Sequence, residues 1–229
     1  MGDFCIKKGH DLKLIGKPEK SMGDAPVSEV LNVSPGDFKG IVPKLLVKEG
    51  DIVKTGTPLF RSKFYPDMVY GSPGSGTVSQ IRIGERRKLQ DISIQLSSAD
   101  ESLPLQAYTA EQIGKLSADD IKSHMLKTGL WFMVRQRPFS KVANPDSAPK
   151  SIFISAMGTA PFSPDAEFVL EKNSGGFQTG LSILKKLTSG SVNLVIGKGT
   201  KLPTLTDAKD ATIHRFSGPH PAGNVGIHI

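Results

Sequence analysis

The sequence predicts an α/β protein of two domains, an all-β domain followed by a domain with a parallel sheet. Residues 43–81 contain short alternating apolar runs with glycine or proline at their junctions, which is typical of small antiparallel strands joined by tight turns. Residues 151–217 instead place an apolar helix face between buried-strand runs, which is typical of strand–helix–strand units. A length of 229 residues suits two small domains better than one large domain.

The predicted all-β domain covers residues 1–98. We expect a first strand and a turn within residues 4–16 and a further strand at 30–33. Apolar residues alternate cleanly at 89–96, which predicts a half-buried strand. Residues 48–51 predict a tight turn, and Gly76 is expected where two strands approach closely.

The β pattern resembles that of biotinyl/lipoyl-type domains, the barrel-sandwich hybrid fold. That fold pairs a V-x-x-G-D-x-V-x-x-G-x-P-L segment with a later S-P-x-x-G-x-V segment, and here these lie at residues 47–59 and 72–78. Carrier domains of this type also need a lysine at the hairpin tip. The tip is expected near Tyr65, and Lys63 falls short of it, so we interpret Lys63 as a solvated strand residue. A carrier function is the alternative, and a mass increment on Lys63 would establish it.

The predicted α/β domain covers residues 105–229. Capping boxes that begin at Thr109 and Ser117 predict two helix starts, and the second helix is expected to end before Gly129. Pro203 is not expected to open a helix. The remaining elements are a helix at 175–187 and buried strands at 152–157, 191–196 and 211–216. This order predicts a Rossmann-like parallel sheet.

Composition and charge exclude several classes of protein. No apolar run is long enough to cross a membrane, and no leader segment opens the chain. The single Cys5 excludes an internal disulfide framework and a cysteine-ligated iron–sulfur site. The net charge of +7 is spread evenly, with 15 basic and 12 acidic residues in 1–100, which argues against nucleic-acid binding. An anionic partner or a phospholipid headgroup surface stays an alternative.

No local motif predicts a cofactor, a metal or a catalytic constellation. The first strand-to-helix junction, 157–164, has one glycine and two prolines and therefore lacks a G-x-G-x-x-G loop. The five histidines show no metal-binding spacing, so no metal site is expected. The segment Pro219-His220-Pro221 predicts a stiff loop that aims an imidazole at a partner, with an ordinary turn as the alternative.

Three segments closely resemble the family formed by the A subunits of the bacterial Na⁺-translocating NADH:quinone oxidoreductases. They are residues 129–142, which contain R-x-R-P-F-S-K-V, residues 151–162, and residues 216–229, which contain G-P-H-P-A-G. The similarity runs through the whole chain in order. Family members are longer, so the chain is expected to be an N-terminal fragment.

This resemblance implies a peripheral subunit on the cytoplasmic face of the bacterial inner membrane. The complex has six subunits, oxidises NADH, reduces ubiquinone and exports sodium, so the chain would be part of a translocase without being catalytic by itself. Its partners would be the other subunits, especially an integral membrane subunit. FMN, FAD, the 2Fe-2S cluster and NADH are expected in other subunits, and no cofactor is expected in this chain.

The resemblance also implies a fold similar to the NADH/flavin subunit of respiratory complex I. That relative carries a glycine-rich flavin loop, whereas residues 131–135 here contain no glycine. Bulky side chains would occupy the space where a flavin phosphate needs bare backbone amides. We therefore expect no flavin or NADH here. The alternative is a flavin- or NADH-binding oxidoreductase subunit like that relative.

For this family the resemblance implies a role in ubiquinone binding. A quinone headgroup needs an apolar or aromatic slot and donors to its two carbonyl oxygens. Two stretches, 34–41 and 134–141, supply both. The candidate residues are Phe38, Lys39, Arg135, Arg137, Pro138, Phe139 and Lys141. Packing of the phenylalanines within the fold and docking of the arginines on a partner subunit are the alternative interpretation.

Overall fold

The computed structural model describes residues 2–16, 18–26 and 28–229. In chain order its strands are β1 (Gly2–Cys5), β2 (Val30–Val33), β3 (Pro43–Leu45), β4 (Ile52–Val53), β5 (Pro58–Ser62), β6 (Val69–Gly71), β7 (Gly76–Ile83), β8 (Leu89–Leu96), β9 (Arg135–Gln136), β10 (Lys141–Val142), β11 (Ile152–Ala156), β12 (Val192–Gly197) and β13 (Thr212–Ser217). Its α-helices are α1 (Ala110–Lys115), α2 (Ala118–Lys127), α3 (Ala166–Leu170), α4 (Ser174–Lys186), α5 (Pro203–Thr206) and α6 (Val225–His228). Single-turn 3₁₀ helices lie at Pro35–Asp37, Glu85–Arg87 and Trp131–Met133.

The chain forms two compact units. The first, called the β unit, is Asp24–Ser147; the second, called the α/β unit, combines the residues up to Gly23 with Ala148–Ile229. This grouping differs from the expected domains at 1–98 and 105–229. The start of the chain belongs to the α/β unit, and the segment that contains α1 and α2 belongs to the β unit.

Two antiparallel sheets make up most of the β unit. One has the order β2-β8-β7-β4 and the other the order β3-β5-β6. The expected strand at 89–96 is confirmed as β8, which is also the partner of both β2 and β7. The core is formed by side chains with no exposed surface: Leu59, Phe60, Val78, Ile92 and Ile94.

Local turn chemistry in the β unit follows the sequence closely. The expected turn at 48–51 is confirmed, because the Lys48 amide donates to the Asp51 carboxylate at 2.9 Å. The strands on its two sides, β3 and β4, lie in different sheets. Gly76 stands where expected, since a Cβ there would overlap the carbonyl oxygen of Gln95 on the neighbouring strand.

Both expected capping boxes are present. The Gln112 amide donates to Thr109 Oγ1 at 3.3 Å, and the Thr109 amide donates back to the Gln112 side chain at 2.8 Å. Ser117 and Asp120 repeat the arrangement at the start of α2. Gly129 follows α2 with a φ of 75°, the left-handed conformation that commonly ends a helix.

The α/β unit is built on a parallel sheet with the order β1-β13-β12-β11. The expected buried strands are confirmed as β11, β12 and β13, and the expected helix at 175–187 is confirmed as α4. Leu194, Ile196 and Leu205 form a fully buried core against which Phe177 of α4 packs. The parallel sheet is therefore confirmed, whereas the likeness to the complex I subunit stays a prediction.

Two sequence expectations are wrong. The first strand does not join the all-β domain: it is β1, which pairs in parallel with β13, and the Phe4 ring stacks on Phe216 at 4.7 Å. Pro203 does open a helix, α5, because a proline in the first helical turn removes only an amide that has no intrahelical acceptor.

The close approach at Gly76 gives a stability prediction. Gly76→Ala should lower the free energy of unfolding of the β unit by about 3 kcal/mol, because the new methyl group meets backbone that cannot move away cheaply. Urea unfolding followed by the fluorescence of Trp131 measures this. Gly114→Ala in α1 is the matched control, since open space surrounds that position. Equal stability of the two variants would contradict the prediction.

The buried His228 and the half-buried His214 give a pH prediction for the α/β unit. His214 Nε2 donates to Asn193 Oδ1 at 3.0 Å, and His228 Nε2 donates to the Ala222 carbonyl at 2.8 Å. Their Nδ1 atoms are buried without a hydrogen-bond partner among the described residues. Burial therefore lowers the pKa of both imidazoles below the ordinary value of 6.5.

Because the unfolded chain takes up these protons first, the free energy of unfolding should be highest above pH 6.5 and fall as the pH drops below it. Hydrogen exchange of the β12 and β13 amides across this range measures the loss. His214→Gln should reduce the slope, whereas His10→Gln, at an exposed loop position, should leave it unchanged. A slope that His214→Gln does not alter would refute the assignment.

Candidate functional site

An open cleft of about 470 Å³ in the β unit brings together part of the expected quinone site. It lies between residues 40–41, the hairpin that joins β5 to β6, and the hairpin that joins β9 to β10. Four of the seven expected residues line it, namely Arg137, Pro138, Phe139 and Lys141. The other three, Phe38, Lys39 and Arg135, lie outside its lining.

Backbone hydrogen bonds fix the three segments that surround the cleft. Gln136 pairs with Lys141 across the β9–β10 hairpin, so residues 137–140 form its loop. The Val142 amide of that hairpin donates to the Lys39 carbonyl at 2.9 Å. The Lys63 amide of the other hairpin donates to the Val42 carbonyl at 2.8 Å. The segment 39–42 therefore connects the two hairpins.

The β5–β6 hairpin presents Phe64 and Tyr65 to the cleft. Buried Ser62 accepts through Oγ from the Phe64 and Tyr65 amides, both at 3.3 Å, and so holds the turn. Lys63 is exposed, as expected, but it does not lie on a strand: it directly follows β5, which ends at Ser62, and its amide bonds to the Val42 carbonyl. The interpretation of Lys63 as a strand residue is therefore wrong, because the strand ends one residue earlier.

The lining combines exposed aromatic rings with cationic donors. Phe64 is 67% exposed and Phe139 is 66% exposed, which is unusual for large apolar side chains. Lys141 Nζ lies 5.7 Å from the centroid of the Phe139 ring, within cation–π range. The exposed guanidinium of Arg137 lies on the same lining. This arrangement suits a flat, apolar ring with oxygen acceptors on its edge.

Phe38 has a packing role. Its ring lies 4.6 Å from that of Tyr70 and 5.1 Å from that of Phe132, and Phe60 stacks on Tyr70 at 4.6 Å. Burial raises the pKa of Tyr70 well above its ordinary value, with Arg135 opposing the effect, so the phenol stays neutral. The structure thus favours the packing interpretation for Phe38. Lys39 contributes its backbone carbonyl, and Arg135 Nη1 donates to the Ser140 carbonyl at 3.4 Å.

Trp131 is hydrogen-bonded to a residue of the cleft lining. It is buried, and its indole Nε1 donates to the carbonyl of Ala143 at 2.8 Å. Ala143 itself lines the cleft. A ligand in the cleft therefore changes the surroundings of a residue that touches the indole, and Trp131 is the single tryptophan of the chain.

Sequence reasoning missed one side of the cleft. Ser62, Phe64, Tyr65 and Met68 of the β5–β6 side line it and lie outside the two expected stretches. The available signal was the pair Phe64-Tyr65 at an expected hairpin tip, where exposed aromatic side chains suggest binding.

The loop at Pro219-His220-Pro221 lies in the α/β unit and is hydrogen-bonded to other segments of that unit. The His220 amide donates to Asp11 Oδ1 at 2.8 Å, and its carbonyl accepts from the His10 amide at 2.9 Å. The imidazole Nδ1 lies 3.2 Å from Thr159 Oγ1. His220 thus links the segments that follow β1 and β11 to its own loop. A role of this loop in partner binding stays a prediction.

Two further features concern metals and membranes. Across the described ranges, no three histidine, cysteine or acidic side chains gather in a way that would hold a metal ion. Among the helices of those same ranges, none is both long enough and apolar enough to cross a bilayer.

Comparison with known proteins identifies the domains. Residues 4–97 match the model of the NqrA N-terminal barrel-sandwich hybrid domain, and residues 116–229 match that of the NqrA second alpha/beta domain. The two matches agree with the sheets of the β unit and with the parallel sheet of the α/β unit. The barrel-sandwich hybrid expected from the sequence is therefore confirmed.

Relatives of known name agree with the domain matches. The chain is 41% identical over 224 residues to a protein of Yersinia pseudotuberculosis and 38% identical over 226 residues to one of Histophilus somni. A protein of Haemophilus influenzae is 38% identical over 227 residues. All three are named as the A subunit of a Na(+)-translocating NADH-quinone reductase, and the alignments cover 98–99% of this chain and 50% of each relative. The chain thus spans about half the length of these relatives, and it belongs to the NqrA family, the A subunits of Na⁺-translocating NADH-quinone reductases.

Proposed function

We propose that this chain supplies a ubiquinone headgroup site to a Na⁺-translocating NADH:ubiquinone reductase, as part of a peripheral subunit on the cytoplasmic side of the membrane. The observation that carries the proposal is the joint placement of Phe139, Arg137 and Lys141 on one cleft. Relatives of the chain are named as quinone reductase subunits, which supports quinone as the ligand class.

The proposed site works by stacking and by charge. The quinone ring lies against the exposed face of Phe139 or Phe64, where an apolar surface stabilises a flat ring. Arg137 and Lys141 donate to the two carbonyl oxygens of the quinone, which become more negative as the quinone is reduced. Fixed cations favour that reduced state more strongly than the oxidised one, so the site both binds and assists reduction.

The proposal assigns no redox cofactor to this chain, so the electrons come from other subunits. Its support is local. Trp131 is buried within a 3₁₀ turn and Phe132 packs in the aromatic cluster, so bulky residues occupy the segment expected to replace a flavin loop. After β11, the side chain of Ser163 fills the space beside Gly158 that a bound phosphate would need.

The proposed partners are the other subunits of the complex, with an integral membrane subunit among them. The names of the relatives describe one subunit of a reductase, which supports an assembly rather than a free enzyme. Isolated, the chain is expected to bind quinone without turning it over, because the proposal places the electron donor elsewhere.

Titration of short-chain ubiquinone against the fluorescence of Trp131 tests this function. We expect saturable quenching, corrected for quinone absorbance, because the indole bonds to a residue of the cleft lining. FMN and NADH serve as parallel ligands, and neither should saturate. Saturation by FMN or NADH would contradict the proposed lack of a cofactor, whereas absence of quinone quenching in folded protein would contradict the quinone site.

Substitutions in the cleft give a second prediction. Arg137→Ala should raise the Kd for quinone by about tenfold or more, the effect of losing a charged hydrogen-bond donor. Phe139→Ala should raise it by up to about tenfold through the loss of ring stacking. Lys88→Ala, an exposed cation of the same unit outside the cleft, is the matched control and should leave Kd unchanged. If the two cleft variants and the control variant have the same Kd for quinone, the quinone does not bind in this cleft.

A further inference from the structure

The segments that form the cleft carry an unbalanced positive charge. The three segments around it, 37–44, 61–68 and 133–146, contain seven basic and three acidic residues. Lys39, Lys63, Arg137 and Lys141 are exposed on these segments, and none of them makes an ion pair within the described ranges. The acidic residues of the segments, Asp37, Asp67 and Asp146, are exposed as well and leave the excess in place.

Some other cations of the β unit have carboxylate partners. Lys54 pairs with Glu101 at 2.7 Å, Lys115 pairs with Glu111 at 2.6 Å, and Arg82 pairs with Asp91. The cleft cations lack such carboxylate partners within the described ranges, as do Arg86, Arg87 and Lys88. What distinguishes the cleft is that its cations lie on the same segments as exposed aromatic rings. Unpaired cations grouped on one face attract an anionic surface.

Exposed rings stand among these cations. Phe64 and Phe139 lie on two separate hairpins and each exposes about two-thirds of its surface. Membrane-surface segments combine apolar side chains such as phenylalanine, which insert at the boundary of headgroups and acyl chains, with lysines and arginines that are attracted to anionic lipids. The combination of phenylalanine-bearing turns and unpaired cations matches the chemistry of an anionic membrane surface.

We propose that the cleft-bearing face of the β unit docks on the surface of an anionic phospholipid bilayer. Phe64 and Phe139 enter the headgroup layer, and Lys39 and Lys63 contact lipid phosphates. Arg137 and Lys141 contact lipid phosphates as well while no quinone occupies the cleft. The role of this docking rests on the proposed function. Ubiquinone carries an apolar tail that keeps it in the bilayer, so a quinone site must lie at the membrane surface. A headgroup site on this face receives the ring without drawing the tail through water. The docking itself requires no quinone.

Sedimentation with vesicles tests the proposal without quinone. Vesicles of phosphatidylcholine alone are compared with vesicles that contain about 30% of the anionic lipid phosphatidylglycerol. The negative surface potential of the second kind attracts basic segments. We expect the chain to bind the anionic vesicles only, and we expect binding to weaken as salt shortens the range of the attraction. Equal binding to both kinds of vesicle, or to neither, would overturn the proposal; a chain that binds neither and requires a partner subunit would point to a protein interface instead.

Variants identify the face. Arg137→Gln combined with Lys141→Gln should weaken binding to anionic vesicles by about thirtyfold, since each cation removed costs about fivefold in affinity. Phe64→Ser with Phe139→Ser should weaken it by about tenfold or more through lost apolar insertion. Lys88→Gln with Ile83→Ser, which removes an exposed cation and an exposed apolar residue away from the cleft, is the matched control. Circular dichroism confirms that each variant is folded. If the control substitutions weaken binding as much as the cleft substitutions do, the cleft-bearing face is not the docking surface.

The outcomes separate this proposal from the quinone proposal. Vesicle binding that depends on the cleft face, together with no quenching of Trp131 by quinone, would reject the quinone site and keep the docking surface. Quinone quenching without vesicle binding would do the reverse.

Discussion

The cleft depends on two backbone hydrogen bonds that end on residues 39–42. The Val142 amide bonds to the Lys39 carbonyl and the Lys63 amide to the Val42 carbonyl, so one short segment holds two hairpins that are distant in sequence. Because both bonds join main-chain atoms, they tolerate many side-chain changes. The hairpins can therefore present rings and cations at their turns while their relative position is fixed by groups that every residue except proline carries.

The aromatic cluster supports this arrangement from the side of the core. Phe60 belongs to β5, Phe38 follows a 3₁₀ turn, and Phe132 lies just before β9. Through Tyr70 these rings join the strands that carry one hairpin to the segment that begins the other. Large rings bury much apolar surface for few rotatable bonds, so the cluster stabilises the cleft at a low cost in conformational entropy. Trp131 extends the same support to Ala143.

Sequence reasoning succeeded where the determinants are local. The capping boxes at Thr109 and Ser117 and the turn at 48–51 use atoms a few residues apart, and each was found. It failed for β1, whose place depends on Phe4 meeting Phe216 at the other end of the chain. Pattern alone cannot reveal such a pairing, since a short strand fits the edge of either sheet. The candidate site divides in the same way. Phe64 was missed because its place in the cleft depends on residues 39–42, which hold two hairpins that are about seventy residues apart in the chain. Periodicity does not encode such a non-local arrangement.

The pairing of β1 with β13 also shortens the open edge of the parallel sheet. Without residues 2–5, β13 would be the border of the parallel sheet and would offer a row of free amides and carbonyls to any extended chain. β1 fills that row with four residues and adds the ring of Phe4 above it. The open edge of the sheet is therefore the four-residue β1 instead of the six-residue β13, and a shorter edge strand offers fewer free groups for strand addition.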